Sequence, residues 1–151
     1  ARTPLREPLF HWIAPLAKPN QVYFYRLKSR SLAIERLGDF KAYTVATERD
    51  TYHHQFLQQE GLMARALITS YRDKLMKLLL SQRVDFVLLD EAGFNNLVEK
   101  EALDHDLFVG VYLALSVSEY LAFSKGSSPE LMEKVKESYQ TLKLQGKFML
   151  R

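Results

Sequence analysis

The stretch RVDFVLLDEAG, residues 83–93, decides how the chain is read. Four apolar residues in a row, Phe86 to Leu89, have the length and composition of a short buried strand. The run stops on two adjacent carboxylates, Asp90 and Glu91. A buried strand that ends this way either meets solvent there or delivers an acid to a site at its carboxyl end.

Outward from this strand, the flanking segments alternate in type. Before it, YRDKLMKLLLSQ follows an S-x-x-D capping signal made by Ser70 and Asp73, and places Leu75, Leu78 and Leu79 on one helical face. Ahead of that helix, residues 64–68 (ARALI) read as a strand. Further upstream, residues 21–27 (QVYFYRL) and 41–47 (KAYTVAT) have β-branched and aromatic content, with Gly38 and Asp39 marking a turn between them. Asp50 is placed to cap a helix over TYHHQFLQQE, which Gly61 would close. After the opening strand come a helix over residues 91–100 and strands over 107–113 and 119–125. A final helix has Ser128 as N-cap, Pro129 in its first turn, a stripe of Leu131, Val135, Tyr139 and Leu142, and Gly146 at its end. Strands alternating with helices imply an α/β fold with a largely parallel sheet. In open sheets of that kind, ligands bind beyond the carboxyl ends of the strands. Asp90 and Glu91 lie there, and so do Arg49, Asp50 and Thr51.

Composition narrows the function classes. Among 151 residues, 47% hydrophobic and 26% charged content is that of a globular chain rather than a disordered one. The net charge of +3 is mild, and the basic residues are dispersed, which gives no argument for nucleic acid. The absence of cysteine removes disulfides, thiolate catalysis and cysteine-ligated zinc. No apolar run reaches the roughly 20 residues of a membrane helix, and no P-loop, G-x-G-x-x-G or G-x-S-x-G is present.

Four segments, in order, carry a resemblance. TPLREPLFHWIAPL (3–16) resembles a T-P-E-R segment followed by an aromatic-rich strand. LGDFKAYTVATERDTYHHQFLQQEG resembles a strand, loop and helix, and LMKLLLSQRVDFVLLDEAG a g-R-v-D-a segment. SEYLAFSKGSSPELMEKVKESYQTLKLQGKF resembles a returning strand with a C-terminal helix. Together they resemble the bacterial extracytoplasmic solute-binding proteins of the amino-acid-binding type, the substrate-binding proteins of ABC transporters (family 3). The resemblance implies a periplasmic-binding-protein-like (type II) architecture of two lobes. Residues 37–113 would be a complete second lobe, and residues 1–36 with 114–151 parts of a first lobe whose N-terminal portion is missing. Hinge segments are expected near 22–32 and 111–119. Either a truncated chain or an exchange of elements in a dimer would account for the missing portion.

What the resemblance implies for chemistry can be stated residue by residue. A zwitterionic ligand needs a fixed cation for its carboxylate and a fixed anion for its ammonium. Arg6 matches the family's carboxylate-binding arginine, and a guanidinium suits that role by its paired donors. Asp90 matches the amine-binding acid. Arg49 and Thr51 belong to the second-lobe loop, where Thr51 would add a hydroxyl and the N–H groups of a helix N-terminus. Two departures stand out: Asp50 occupies a position where the family usually has Gly, and Ala1 one where it often has a hydroxyl residue. The implied function is capture of a small polar or amino-acid-like ligand between two lobes, without cofactor or metal. The partners would be that ligand and a membrane transporter permease, in a periplasmic or extracytoplasmic setting.

Each assignment has a plainer reading beside it. Asp90 would equally cap the helix that starts at Glu91, and Arg6 would equally pair with Glu7. His53 and His54, being adjacent, face different sides of a helix and are expected to be a solvated pair rather than metal ligands. Trp12 is expected in a core. YFYRLKSR (23–30) is read as a strand with one buried face rather than a single-strand nucleic-acid platform. Two other functions remain open on the same scaffold: the sensing domain of a membrane receptor, or a dehydratase or lyase in which Glu91 or Glu48 serves as general acid or base.

Overall fold

Residues 1–148 are described by the computed structural model. In chain order they form β1 (Phe10–Pro15), β2 (Asn20–Leu27), β3 (Val45–Glu48), α1 (Tyr52–Gln59), β4 (Ala66–Thr69), α2 (Lys74–Leu80), β5 (Phe86–Asp90), α3 (Glu91–Lys100), β6 (Phe108–Val117), β7 (Tyr120–Ser124) and α4 (Pro129–Leu144). The chain divides into two compact units, one of Ala1–Asn20 with the chain from Val117 onward, the other of Gln21–Ser116. Residues 21–36 therefore pack with the second unit. Residues 22–27 of the region expected as a hinge lie in β2.

The second unit is built on a five-stranded sheet in the order β4-β3-β5-β2-β6. β3 pairs in parallel with β4 and with β5, whereas β2 pairs antiparallel with β5. The sheet is thus mixed: β3, β4 and β5, the strands that alternate with α1 and α2, pair in parallel, and β2 runs against β5. Hydrophobic pattern specifies that β2 is buried but carries no strand direction, so the expectation of a largely parallel sheet could not single out β2 as antiparallel.

β5 lies in the middle of this order, and all five of its residues are buried. Its side chains divide by parity between two faces. Phe86 meets Phe24 and Phe40, which stack on each other with ring centroids 3.8 Å apart. Val87 and Leu89 enter a cluster with Tyr25, Leu75, Met76, Leu79, Phe94, Leu97 and Val98. In that cluster Tyr25 and Phe94 stack at 3.8 Å, joining β2 to α3. Each such buried side chain contributes roughly 1.5–3 kcal/mol, so β5 is fixed firmly and its last residue is positioned with it.

Local signals set the helix ends with two corrections. α1 begins at Tyr52 because Thr51, not Asp50, is its N-cap: Thr51 Oγ1 accepts from the His54 N–H at 3.3 Å. Asp50 instead takes a left-handed backbone (φ 59°), a conformation that glycine adopts without cost and that Asp tolerates better than most residues. α2 starts only at Lys74, and Asp73 makes no side-chain capping bond there. Ser70 remains in the loop because the chain first makes a turn closed by Lys74 N–H donating to Tyr71 O. Gly61 (φ 66°) and Gly146 (φ 64°) follow α1 and α4 as their positions imply.

The first unit consists of a two-stranded antiparallel sheet, β1 with β7, and α4. α4 is capped by Ser128, whose hydroxyl accepts from Leu131 N–H, and it is tied to β1 by Tyr139 Oη donating to Pro15 O at 2.8 Å. Trp12 is half-buried rather than in a core, with the Arg2 guanidinium 5.6 Å from its ring and 4.8 Å from that of Tyr120. No helix of the described residues is long and apolar enough to cross a membrane.

Candidate functional site

The three parallel strands deliver three loops to one end of the second unit's sheet. β3 ends at Glu48, β4 at Thr69 and β5 at Asp90. Two of the loops are joined by Arg49 N–H donating to Thr69 O at 2.8 Å. The sequence-derived residues Arg49, Thr51 and Asp90 all stand in this group, and Arg6 belongs to the first unit.

Asp90 is the last residue of β5 and the N-cap of α3. Its Oδ1 accepts the Gly93 N–H at 2.8 Å, and the residue is 7% exposed. The capping reading raised from sequence is therefore real. One oxygen accepts the cap bond, and the second reaches toward His53, whose Nε2 lies 3.4 Å from Oδ2. A helix N-terminus favours the charged carboxylate at this place.

Arg72 and Gly93, which sequence reasoning passed over, complete the surroundings. A Cβ at Gly93 would lie 3.0 Å from Arg72 Nη1 and 3.1 and 3.2 Å from the two oxygens of Asp90. The guanidinium and the carboxylate thus converge over a residue with no side chain, and a Cβ there would require one of them to give way by a few tenths of an ångström. Arg72 is held from its other side by Nε donating to Glu48 Oε2 at 2.7 Å. Its position straight after β4, in the loop before a helix, was a readable signal, because the same reasoning had singled out Arg49 after β3.

The loop after β3 is braced internally. Thr51 Oγ1 donates to Glu48 O at 2.8 Å while accepting from His54, so the hydroxyl proton of Thr51 is committed. Asp50 N–H donates to His54 Nδ1 at 3.3 Å. Arg49 extends an exposed side chain. His53 is fully buried, contrary to its expected solvated state. Its spacing of four from the equally buried Leu57 was the sequence signal that places it on the inner face of α1. Among the described residues no group of three or more His, Asp or Glu could hold a metal ion.

In the first unit, Arg6 caps a short 3-10 turn over Glu7–Leu9. It lines a hollow of about 160 Å³ with Ala1, Phe10, Trp12, Tyr120 and Ala122. Glu7, the rival partner considered for Arg6, is engaged by Arg2, whose Nε donates to Glu7 Oε2 at 2.8 Å.

Comparison with solved structures places this arrangement. The sensor domain of a histidine kinase with similarity to periplasmic binding proteins matches with a TM-score of 0.78 and 18% identity, over 97% of this chain and 62% of the other. The fold is α/β and periplasmic-binding-protein-like. A variant of the arginine-binding protein ArgBP from T. maritima matches with a TM-score of 0.77 and 19% identity, over 97% of this chain and 61% of the other. AbpA of Streptococcus pneumoniae, an amino acid ABC transporter substrate-binding protein bound to L-arginine, matches at 0.71 and 21% identity, over 96% of this chain and 60% of the other. The chain spans about three fifths of the length of these periplasmic-binding-type neighbours. No protein-family model and no curated protein matches it.

Proposed function

We propose that this chain is a ligand-binding module for small ammonium-bearing, amino-acid-like solutes, with Asp90 as the anchor of the ammonium group. The observation that carries the reading is the delivery of Asp90, by a wholly buried central strand, to the end of the sheet where Arg72, His53 and the first turn of α1 also lie. The fold neighbours named for arginine binding and amino-acid transport support it. A carboxylate on the same ligand would be met by Arg49, by Arg72 and by the N–H groups that follow Thr51. Arg6 is proposed as a further cation for a carboxylate. The reading is non-enzymatic: Glu48, one of the two acids considered for proton transfer, is tied to Arg72 in an ion pair, and Glu91, the other, is exposed. In this reading the protein works outside the cytoplasm and hands its solute to an ABC-type permease. An exchange of elements in a dimer remains a proposal of the same rank, which light scattering tests directly.

A second reading, the sensing domain of a membrane receptor, is favoured by the histidine kinase sensor domain among the neighbours. It shares the same binding chemistry, and the downstream part of the gene separates the two: a membrane helix encoded after the present chain supports the sensor, and its absence supports the transport role.

Thermal unfolding against L-arginine, L-glutamine and L-glutamate tests the binding. A ligand at about 100 times its Kd adds roughly 2.7 kcal/mol, which raises Tm by several degrees in the wild type and leaves Asp90→Ala unmoved. A ligand that stabilises Asp90→Ala as strongly as the wild type contradicts the assignment.

A further inference from the structure

One buried ionisable side chain has no part in the recognition of ligand by Asp90 and the arginines. His53, in the first turn of α1, is 0% exposed, and among the described residues neither of its ring nitrogens makes a hydrogen bond. Its Nε2 lies 3.4 Å from Asp90 Oδ2, near enough for charge to act between them without a formed hydrogen bond. The ring of Tyr52 lies against it at 4.1 Å between centroids. Burying an imidazole without partners costs free energy that an apolar side chain of similar size would not. One of the two nitrogens, Nε2, faces the carboxylate on which ligand capture depends.

We propose that His53 is a positioning residue that couples cation capture at Asp90 to pH. With the ring neutral, His53 brings no positive charge to Asp90 that would compete with a ligand's ammonium. With the ring protonated, Nε2–H donates to Oδ2 and the imidazolium competes with the ammonium for the same carboxylate. Two cations next to one anion disfavour each other, so proton uptake weakens ligand binding and ligand binding lowers proton affinity by the same factor. One linked proton permits a fall in affinity of at most about tenfold per pH unit. This rests on the reading of Asp90 as the ammonium anchor.

Charged groups near this end of the sheet include Glu48 at the end of β3, paired with Arg72, the exposed Arg49 that follows it, and Asp50, His54 and Glu91 at the starts of α1 and α3. Of these side-chain types only histidine ordinarily changes charge between pH 5 and 8. His54 is separated from Asp90 by its engagement with Asp50 N–H and Gln58, which leaves His53 as the histidine in contact with the anchor.

The test is an NMR titration of the imidazole resonances from pH 8 to 5, in the wild type and in Asp90→Asn, with and without L-arginine, L-glutamine or L-glutamate, joined to calorimetric Kd values for wild type and His53→Gln. The expected result is a pH-dependent change in the His53 resonances that differs between wild type and Asp90→Asn, and between free and ligand-saturated wild type. The wild-type Kd weakens toward pH 5, and that of His53→Gln changes little. A His53 resonance that does not titrate, a midpoint unmoved by Asp90→Asn, or a His53→Gln profile parallel to the wild type overturns the proposal. If none of the amino acids binds, the ammonium-anchor reading falls and the competition with it, while the Asp90→Asn midpoint still decides whether the pair is coupled.

Discussion

The two units bury their apolar surface very differently. In the second, both faces of β5 are packed, one by Phe24, Phe40 and Phe86 and the other by the α2 and α3 cluster. In the first, Ala14 and Val117 are the buried hydrophobic residues among those described, α4 has no buried residue, and Leu9 and Leu131 are about half exposed. The second unit therefore holds its shape with its own core, and the loops carrying Asp90, Arg72 and Thr51 stand on that rigid part. The first unit is ordered by strand pairing, a helix contact and the Arg2, Trp12, Tyr120 stack, each of which is worth less than core burial.

Five substitutions probe the contrast. Phe86→Ala removes a fully buried ring packed against Phe24, Phe40 and Tyr43 and should cost about 3–5 kcal/mol in urea unfolding. Trp12→Ala in the first unit should cost clearly less, and equal losses would break the comparison.

Asp85→Asn comes next, at about 1.5–3 kcal/mol, because Asp85 accepts from Thr44 N–H and Oγ1 at 2.8 Å each and pairs with Arg30. Partial burial pushes the carboxyl up, but the Thr44 hydrogen bonds and Arg30 outweigh it and hold Asp85 below the usual carboxylate range. With the folded value depressed, the stabilisation is fully present above the ordinary value of 3.8 and is lost as pH falls through the folded value. The variant should therefore lag the wild type at pH 7 and match it in strong acid, as read from denaturant midpoints across pH.

Gly93→Ala should destabilise by about 1–3 kcal/mol, since its Cβ would meet Arg72 and both Asp90 oxygens, and should weaken amino-acid binding more than it weakens the fold. Undiminished affinity would show that Arg72 and Asp90 need not converge. Smallest is Tyr139→Phe, which removes one hydrogen bond to Pro15 O and should cost about 0.5–1.5 kcal/mol. Local hydrogen exchange should rise in β1 and α4 with β5 unaffected.

Legibility in the sequence followed the same division. β5, α3 and α4 were readable to within a residue or two because an uninterrupted apolar run, a strand-to-helix junction and a Ser-Pro start are local signals. The antiparallel direction of β2 was not, since pairing direction is decided by tertiary contacts. Asp50 resembled a cap in composition, but the loop needed a left-handed residue there, and the cap passed to Thr51. At the site, Asp90 was legible from its place at a strand end. His53 and Arg72 were not singled out: a histidine pair reads as polar surface unless its helical phase with Leu57 is used, and the meaning of Arg72 depends on the bare Gly93 lying next to Asp90 in space.

Amide ¹⁵N–¹H spectra recorded during titration with L-arginine, L-glutamine and L-glutamate test the central claim most directly. Ammonium capture at Asp90 predicts shifts concentrated at Arg49–His54, Thr69–Arg72 and Asp90–Gly93, and their loss in Asp90→Ala. Binding that leaves these three loops unmoved, or that persists in Asp90→Ala at wild-type affinity, would contradict it.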